Sequence, residues 1–419
     1  MKLSILDYVP IFEGRSAHEA FQHSVELAQR AEQLGYVRYW VAEHHQVRSV
    51  ASSAPEMVMM TLLEQTSNIK IGSGGVMLPH YSPYKVAEQF KMMEARHPHR
   101  VDMAIGRSPS FNNVNAALNE NKERKLDFDT QLDDLNKYLN DDIDKAHRFK
   151  TLLATPLIPT KPEMYILGMS ERSAKLAGRR GLPFVIAKMG QSSSAIEEVI
   201  NVYKNEFARW HGRYWKSSGD GDNRAFGRTS HGSSEEDFAG DSHRGVKDYS
   251  GEHVHEAFEE ESRDHVHEAS EEDSRGHVHE AFKELSGGVK PYVILATFVV
   301  TGDNEVEVEE LLSALQLWLL RINYLDQPQF YPSIETAKNR VYSEREKEKL
   351  EQNKRRIIYG SPREVSRQLK DIKSLFGVDE LMILPNVYGE DARFELIELL
   401  ARELDCLLYT SDAADDSLR

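Results

Sequence analysis

An acid followed by two imidazoles, Glu43-His44-His45, closes the apolar run Tyr39–Ala42. Adjacent histidines offer a proton donor and acceptor near neutral pH. The same pair also serves structurally, with one ring packed and the other capping a loop, so its place in the fold decides the reading. Metal ligation is disfavoured, because neighbours on a strand point to opposite faces and no third ligand accompanies them. Gly74-Gly75 removes two successive side chains at the end of another apolar run. Backbone there can approach a ligand closely, although an isolated glycine pair also suits an ordinary turn. Further on, Gly168-Met169-Ser170 opens a helical pattern that carries Ser173. Helix N-terminal amides plus hydroxyls form a phosphate cradle, and Ser170 alone reads equally as an N-cap. Arg107 ends a further apolar run and suits either the cationic partner of that phosphate or a surface ion pair. The serines and the arginine together suggest a phosphorylated ligand.

Placing these residues in one site requires elements that converge. Eight short apolar runs recur: Leu3–Leu6, Tyr39–Ala42, Ile69–Gly72, Val101–Ile105, Met164–Leu167, Phe184–Ala187, Tyr292–Val300 and Leu381–Leu384. Nearly continuous apolar runs fit parallel strands covered on both faces. Helical periodicity fills the intervals: Ala20, Phe21, Ser24, Leu27, Ala28, Ala31 and Leu34 share one face, and Gly35 stops the run. Eight βα units predict an α/β fold of the (β/α)₈ TIM-barrel type. An open doubly wound sheet is the alternative, and no GxGxxG follows the first strand to favour it. Barrel active sites lie where strands end. That rule gathers Asp7, Glu43 to His45, Gly74 to Met77, Arg107, Gly168 to Ser173 and Asn386 at one mouth. Asp7, His45, Met77 and Lys188 are expected to line a substrate pocket there.

The 419 residues carry a formal net charge of -16, with a mean hydropathy of -0.55 and one cysteine. Such acidity argues against non-specific binding to nucleic acid or anionic membrane. A single cysteine permits no internal disulfide framework. Asp7 and Pro10 interrupt the N-terminus where a signal peptide needs an apolar stretch, and no run is long enough to span a bilayer, so a cytoplasmic location is expected. Residues 217–288 hold 19 acids and 7 bases and repeat a twelve-residue unit from Gly251, Arg263 and Arg275. This acidic, His-rich insert is expected to be disordered. Residues 406–419, including Cys406, follow a finished helix without pattern and read as a translated cloning artefact. Residues 1–216 and 289–405 then form a single barrel domain with a net charge of -2.

Several segments resemble the bacterial luciferase-like flavin monooxygenases, in the order in which that family carries them. They are LSILDYVPIFEG, GYVRYWVAEHH, ASSAPE, IKIGSGGVMLPHYSPYKVAEQF, EARHPHRVDMAIGRSP, YILGMSERSAKLAGRRGLPF, YGSPREV and GVDELMI. The resemblance implies a barrel, usually dimeric, that uses reduced FMN and oxygen on a small organic substrate, with a separate reductase supplying the reduced flavin. It implies His44 as the catalytic histidine and a cis peptide at Gly74-Gly75 beneath the flavin ring. It also implies flavin contacts from Arg107, Gly168, Met169, Ser170 and Ser173. Relatives in this family usually read HPGR where His97-Pro98-His99-Arg100 stands here, and many carry a histidine pair in place of Lys188-Met189. The reactive cysteine of true luciferases has no counterpart, so light emission is not expected. A non-catalytic flavin-binding barrel or a simple flavin reductase is the alternative function, and a deazaflavin the alternative cofactor.

The insert joins a helix to strand seven, which places it on the barrel face away from the flavin. Six of its histidines form three His-x-His pairs, a pattern that could take zinc, nickel or copper. Its composition reads instead as solvated repeat. Calorimetric titration of the insert peptide with these metals should give no heat of binding, and a stoichiometric signal would reverse the expectation.

Overall fold

The computed structural model describes residues 1–108, 110–120, 122, 126–144, 146–215, 290–321 and 327–404. The repeat insert and the C-terminal segment lie outside these residues. All eight apolar runs become strands: β1 (Leu3–Asp7), β2 (Arg38–Val41), β3 (Lys70–Met77), β4 (Val101–Gly106), β5 (Glu163–Leu167), β6 (Phe184–Ala187), β7 (Val293–Val300) and, last in the chain, β9 (Glu380–Leu384). Every pairing is parallel, and the β6–β7 and β1–β9 contacts close the ring. The result is a (β/α)₈ barrel. Closure excludes the open sheet. β1, β7 and β9 are buried along their whole length, as strands between a packed interior and a helical layer must be.

One strand escaped the sequence analysis. β8 (Ile357–Tyr359) is three residues long and pairs with Phe298–Val300. β6 pairs with the earlier residues Val293–Ala296, so β8 continues the ladder where β6 stops. A three-residue apolar run carries too little periodicity to be distinguished from a loop.

The helices follow local chemistry. α1 (Ala17–Gln33) starts at a capping box, in which Ser16 accepts from the Glu19 amide and the Glu19 carboxylate accepts from the Ser16 amide. Between the strands follow α2 (Pro55–Gln65), α3 (Pro83–Arg96), α4 (Asn112–Leu118), α5 (Phe128–Leu139), α6 (Glu171–Arg180) and α7 (Ser193–Trp215). After β7 come α8 (Glu305–Arg321), α9 (Ile334–Lys338) and α10 (Glu344–Lys354), then α11 (Pro362–Phe376) and α12 (Glu390–Glu403).

The N-terminal end of the barrel is sealed by charge. Arg38, at the start of β2, donates from Nε to Glu380 on β9 at 2.8 Å, and from Nη1 to Asp102 on β4 at 2.7 Å and to the Tyr165 hydroxyl on β5 at 2.5 Å. Trp40 Nε1 reaches Asp102 at 2.9 Å. It crosses β3 at Gly72, where a Cβ would lie 2.5 Å from Trp40 Nε1 and 2.7 Å from the Asp102 Cβ. Ser4 and Tyr292 also donate to Glu380. Burial pulls the Arg38 guanidinium toward neutrality, but Asp102 and Glu380 more than offset it and hold its proton firmly. Truncating one member of such a buried network strands the others. Arg38→Met should cost about 3–5 kcal/mol in urea unfolding, and a loss below about 1 kcal/mol would show that the plug bears no weight.

Candidate active site at the barrel mouth

At the opposite end the strands release the residues that carry chemistry. β2 ends in Val41, and the chain turns inward through Glu43, His44 and His45. The Glu43 carboxylate is buried and accepts from His45 Nε2 at 2.7 Å, from the Met77 amide at 2.8 Å and from the Tyr81 hydroxyl at 2.5 Å. It therefore ties the end of β2 to the end of β3 and turns the His45 ring away from free movement. His44 is left on its own. Its ring packs 4.5 Å from Tyr8, and its buried Nδ1 has no partner. Burial, opposed by Glu43, holds the His44 imidazole down at about 4. The ring is neutral at pH 7, and which nitrogen carries the proton depends on the tautomer. Burial pushes the Tyr8 phenol up to about 12, against the pull of Arg356.

Gly74 and Gly75 are joined by a cis peptide, and the register with β4 shifts between Gly74 and Val76. Side chains are excluded at both positions. A Cβ on Gly74 would meet Leu6 Cδ1 at 2.4 Å, and one on Gly75 would meet Leu167 Cδ1 at 2.3 Å and the Ala104 carbonyl oxygen at 2.5 Å.

β5 ends at Gly168. Its bare Cα lets Ser173 close over it, since a Cβ there would sit 2.2 Å from the Ser173 Cβ. Ser170 caps α6, accepting from the Ser173 amide at 3.4 Å, and the two hydroxyl oxygens are 3.3 Å apart. The Met169 sulfur accepts from Gln191 Nε2 at 3.1 Å, linking the ends of β5 and β6. Arg107, half-buried after β4, is pushed toward its neutral form by burial and then by Arg172, with Asp129 opposing. Arg172, on the exposed face of α6, thus adds its charge to that of Arg107 at a helix N-terminus whose backbone dipole already favours an anion. This arrangement suits an anionic group such as a phosphate. Lys188 follows β6, and its Nζ donates to the Arg355 carbonyl.

Asp7 does not line the pocket. It is fully buried and accepts from the Val9 amide at 2.8 Å, from the Tyr39 hydroxyl at 2.6 Å, from Arg393 Nη2 at 2.6 Å and from Ser24. Both carboxylate oxygens are spent fastening β1 to α1 and α12. Strand alternation then sends Tyr8 into the site, and that signal was readable in the sequence. Arg172 was readable too, lying between the two serines. Arg356 was not, because it precedes the unrecognised β8. The His97-Pro98-His99-Arg100 departure lies at the far end of the barrel, before β4. His99 takes φ +66, the left-handed region that glycine occupies most easily. Two surface grooves, of about 620 Å³ beside Glu13 and Thr336 and about 300 Å³ beside Asp133 and His147, stand apart from all these residues.

The profile of the luciferase-like monooxygenases matches residues 1–236. The uncharacterized protein YceB of Bacillus subtilis is 33% identical over 402 residues, covering 95% of this chain and 98% of its own. An N-acetyl-S-alkylcysteine monooxygenase of the same organism is 44% identical over 189 residues, 45% of this chain and 57% of the relative. Among solved structures, apo-MsnO8 superposes with a TM-score of 0.69 at 26% identity, covering 97% of this chain and 98% of that one. The fold is shared at lower identity with two further structures. The FMN-bound oxygenating constituent of 3,6-diketocamphane monooxygenase from Pseudomonas putida has a TM-score of 0.59 at 15% identity, covering 96% and 98%. An F420-dependent secondary alcohol dehydrogenase has a TM-score of 0.54 at 14% identity, covering 97% and 98%. Barrel, mouth and sequence agree: the chain belongs to the luciferase-like monooxygenase family.

Proposed function

We propose that the protein is an FMN-dependent monooxygenase that uses reduced FMN and oxygen to oxygenate a small organic substrate. The observation that carries this reading is the N-terminus of α6, where Ser170 caps the helix with its hydroxyl 3.3 Å from that of Ser173 and Arg107 and Arg172 supply positive charge. A doubly charged phosphate suits that positive helix terminus, and the Gly74-Gly75 segment at the same barrel end offers backbone that a ring system can approach. Gly168, Met169, Ser170, Ser173 and Arg107 hold the cofactor in this reading. Bound flavin supplies the electrons and the activation of oxygen. The chain supplies position, shielding and a proton path. His44, neutral and with an unpartnered Nδ1, accepts and returns a proton at that atom. Glu43 keeps His45 and the Met77 amide fixed beside it, and Tyr8 and the buried aromatics behind it exclude water. Reduced flavin arrives from a separate reductase. A second copy of the chain packs on the barrel's outer helices, where Met57 of α2 and Met92 of α3 are left exposed. A deazaflavin such as F420 is the competing cofactor, because the same fold holds it in a distant neighbour. A simple flavin reductase is the competing activity, favoured by the exchange of a histidine pair for Lys188-Met189.

Mass identification of the cofactor released from purified protein decides between FMN and F420. Incorporation of ¹⁸O₂ label into product separates oxygenation from flavin reduction. Arg107→Met should weaken FMN binding by about 1.5–3 kcal/mol, about 10- to 100-fold in Kd by flavin fluorescence. Unaltered affinity would move the phosphate elsewhere. His44→Ala should lower kcat about 100-fold and leave FMN affinity intact. Unchanged turnover would remove His44 from the mechanism.

The sign of the pH effect follows from the depressed value of about 4 for His44. The unfolded chain takes up the proton first, with an imidazole near its ordinary value of about 6.5. The stability contributed by neutral burial is therefore complete above about pH 6.5 and is lost as the pH falls toward 4. An NMR titration of the His44 ring should show a neutral imidazole from pH 8 down to about 5. A midpoint near 6.5 would contradict the burial.

A further inference from the structure

We infer that Gln327 is a positioning residue for His44: its side-chain amide clasps the loop that follows the histidine pair and so fixes where the His44 ring stands. The inference rests on the reading of His44 as the group that carries a proton, while the clasp itself is independent of any bound cofactor.

The loop that carries the histidines joins β2 to α2 and is closed at its neck. The His44 amide donates to the Ser52 carbonyl at 2.9 Å, and the buried Ser52 hydroxyl donates to the Ala42 carbonyl at 2.6 Å. The tip needs other support, because Gln46 and Arg48 are exposed and only Val47 between them is buried. Gln327, buried on the segment between α8 and α9, supplies it. Its Nε2 donates to the Gln46 carbonyl at 2.9 Å, and its Oε1 accepts from the Arg48 amide at 3.1 Å. One planar carboxamide thus satisfies the backbone on both sides of Val47, as an adjacent strand would. The reverse placement of that amide would set donor against donor and acceptor against acceptor. Gln46 takes φ +56, the left-handed region that a residue with a Cβ keeps only where its neighbours hold it. One residue beyond Arg48, the Trp318 indole of α8 donates to the Ser49 hydroxyl at 2.9 Å.

His44 lies between the tied neck and the clasped tip. Its two neighbours in the chain are joined to each other, Glu43 accepting from His45 Nε2 at 2.7 Å. The His44 ring packs on Tyr8 at 4.5 Å, and its buried Nδ1 has no partner, so its aim is set by packing and by the backbone that carries it. Tyr8 lies 5.9 Å from the Trp318 ring, so the surface that backs His44 leans on the same helix that holds Ser49. Without the Gln327 amide, the exposed ends of the tip would exchange its two bonds for water, and water would gain a way toward the His44 ring. Burial outweighs the charges of Glu43 and His45 in setting the hold of His44 on its proton, so water entry is the change that the ring would register. A plain tie is the competing account, in which Gln327 adds to the stability of the fold and leaves the ring as it was.

NMR on the full chain separates the two accounts. In the wild type the Arg48 amide should exchange with solvent at least about 100-fold more slowly than a free peptide. Gln327→Met keeps the length of the side chain and removes both bonds. Gln327→Asn, the milder change, keeps the amide but is a methylene too short to reach both partners. Each variant should move the His44 ring resonances and raise their midpoint from about 4 to about 5 or above, toward the ordinary value of about 6.5. Each should also lower kcat about tenfold with FMN affinity unchanged, and circular dichroism certifies that the variants fold. A freely exchanging Arg48 amide in the wild type overturns the inference. So do folded variants whose His44 resonances and midpoint match the wild type, whatever their loss in urea stability, because that outcome is the plain tie. If His44→Ala leaves turnover unaltered, or the wild type binds no FMN, while Gln327→Met still shifts the His44 titration, the proposed function falls and the clasp on His44 stands.

Discussion

The Arg38 guanidinium is the constraint on which the molecule turns. It is buried at the N-terminal end of the barrel and bridges Glu380 and Asp102 on opposite parts of the ring. Burying these charges is costly, and the cost is met only if every partner is in place. The partners come from β1, β2, β4, β5 and β9, so the network is satisfied only when the barrel has closed in one register. A slip of one residue on any of those strands would turn a partner out of the barrel. Gly72 shows how strict the fit is, because Trp40 reaches Asp102 only across a residue without a side chain.

The two ends of the barrel are thereby opposites. At the plug, buried cations meet carboxylates within hydrogen-bond distance. At the mouth, Arg107 feels the like charge of Arg172, the partly exposed Lys188 donates to a neutral carbonyl, and the buried His44 Nδ1 has no partner. Groups left in that condition are expensive in a folded protein, and the expense persists where a ligand relieves it. The stability supplied by the plug lets the barrel carry the unpartnered His44 Nδ1 at its mouth. Asp7 marks the border: it stands at a strand end, yet all its capacity goes to Arg393, Ser24, Tyr39 and the Val9 amide.

What was legible in the sequence follows the same division. The eight barrel strands were visible because burial on both faces writes a continuous apolar run, and the mouth residues followed from the rule that strands end there. Gly168, Ser170 and Ser173 could be grouped because they lie within one turn of a helix. The plug was not legible. Arg38, Asp102 and Glu380 are far apart in the chain, and each looks like an ordinary surface charge until the ring closes. Arg356 stayed hidden for the related reason that β8 is held by its partner strand rather than by its own pattern. Asp7 misled because position at a strand end does not reveal which way a side chain points, and alternation along β1 sends it outward.

Net charge is the last feature that the structure reinterprets. By its formal charge of -16 alone, the chain is a poor host for an anion. Most of that charge belongs to residues 217–288, which lie between α7 and β7 in the chain. Salt screens exposed charges beyond about 8–10 Å, so the net charge counted over the whole sequence does not set the field at one site. At the mouth, Arg107 is partly withdrawn from water, where screening is weaker, and Arg172 adds positive charge beside it. The local charge at the α6 terminus therefore runs against the sign of the chain as a whole.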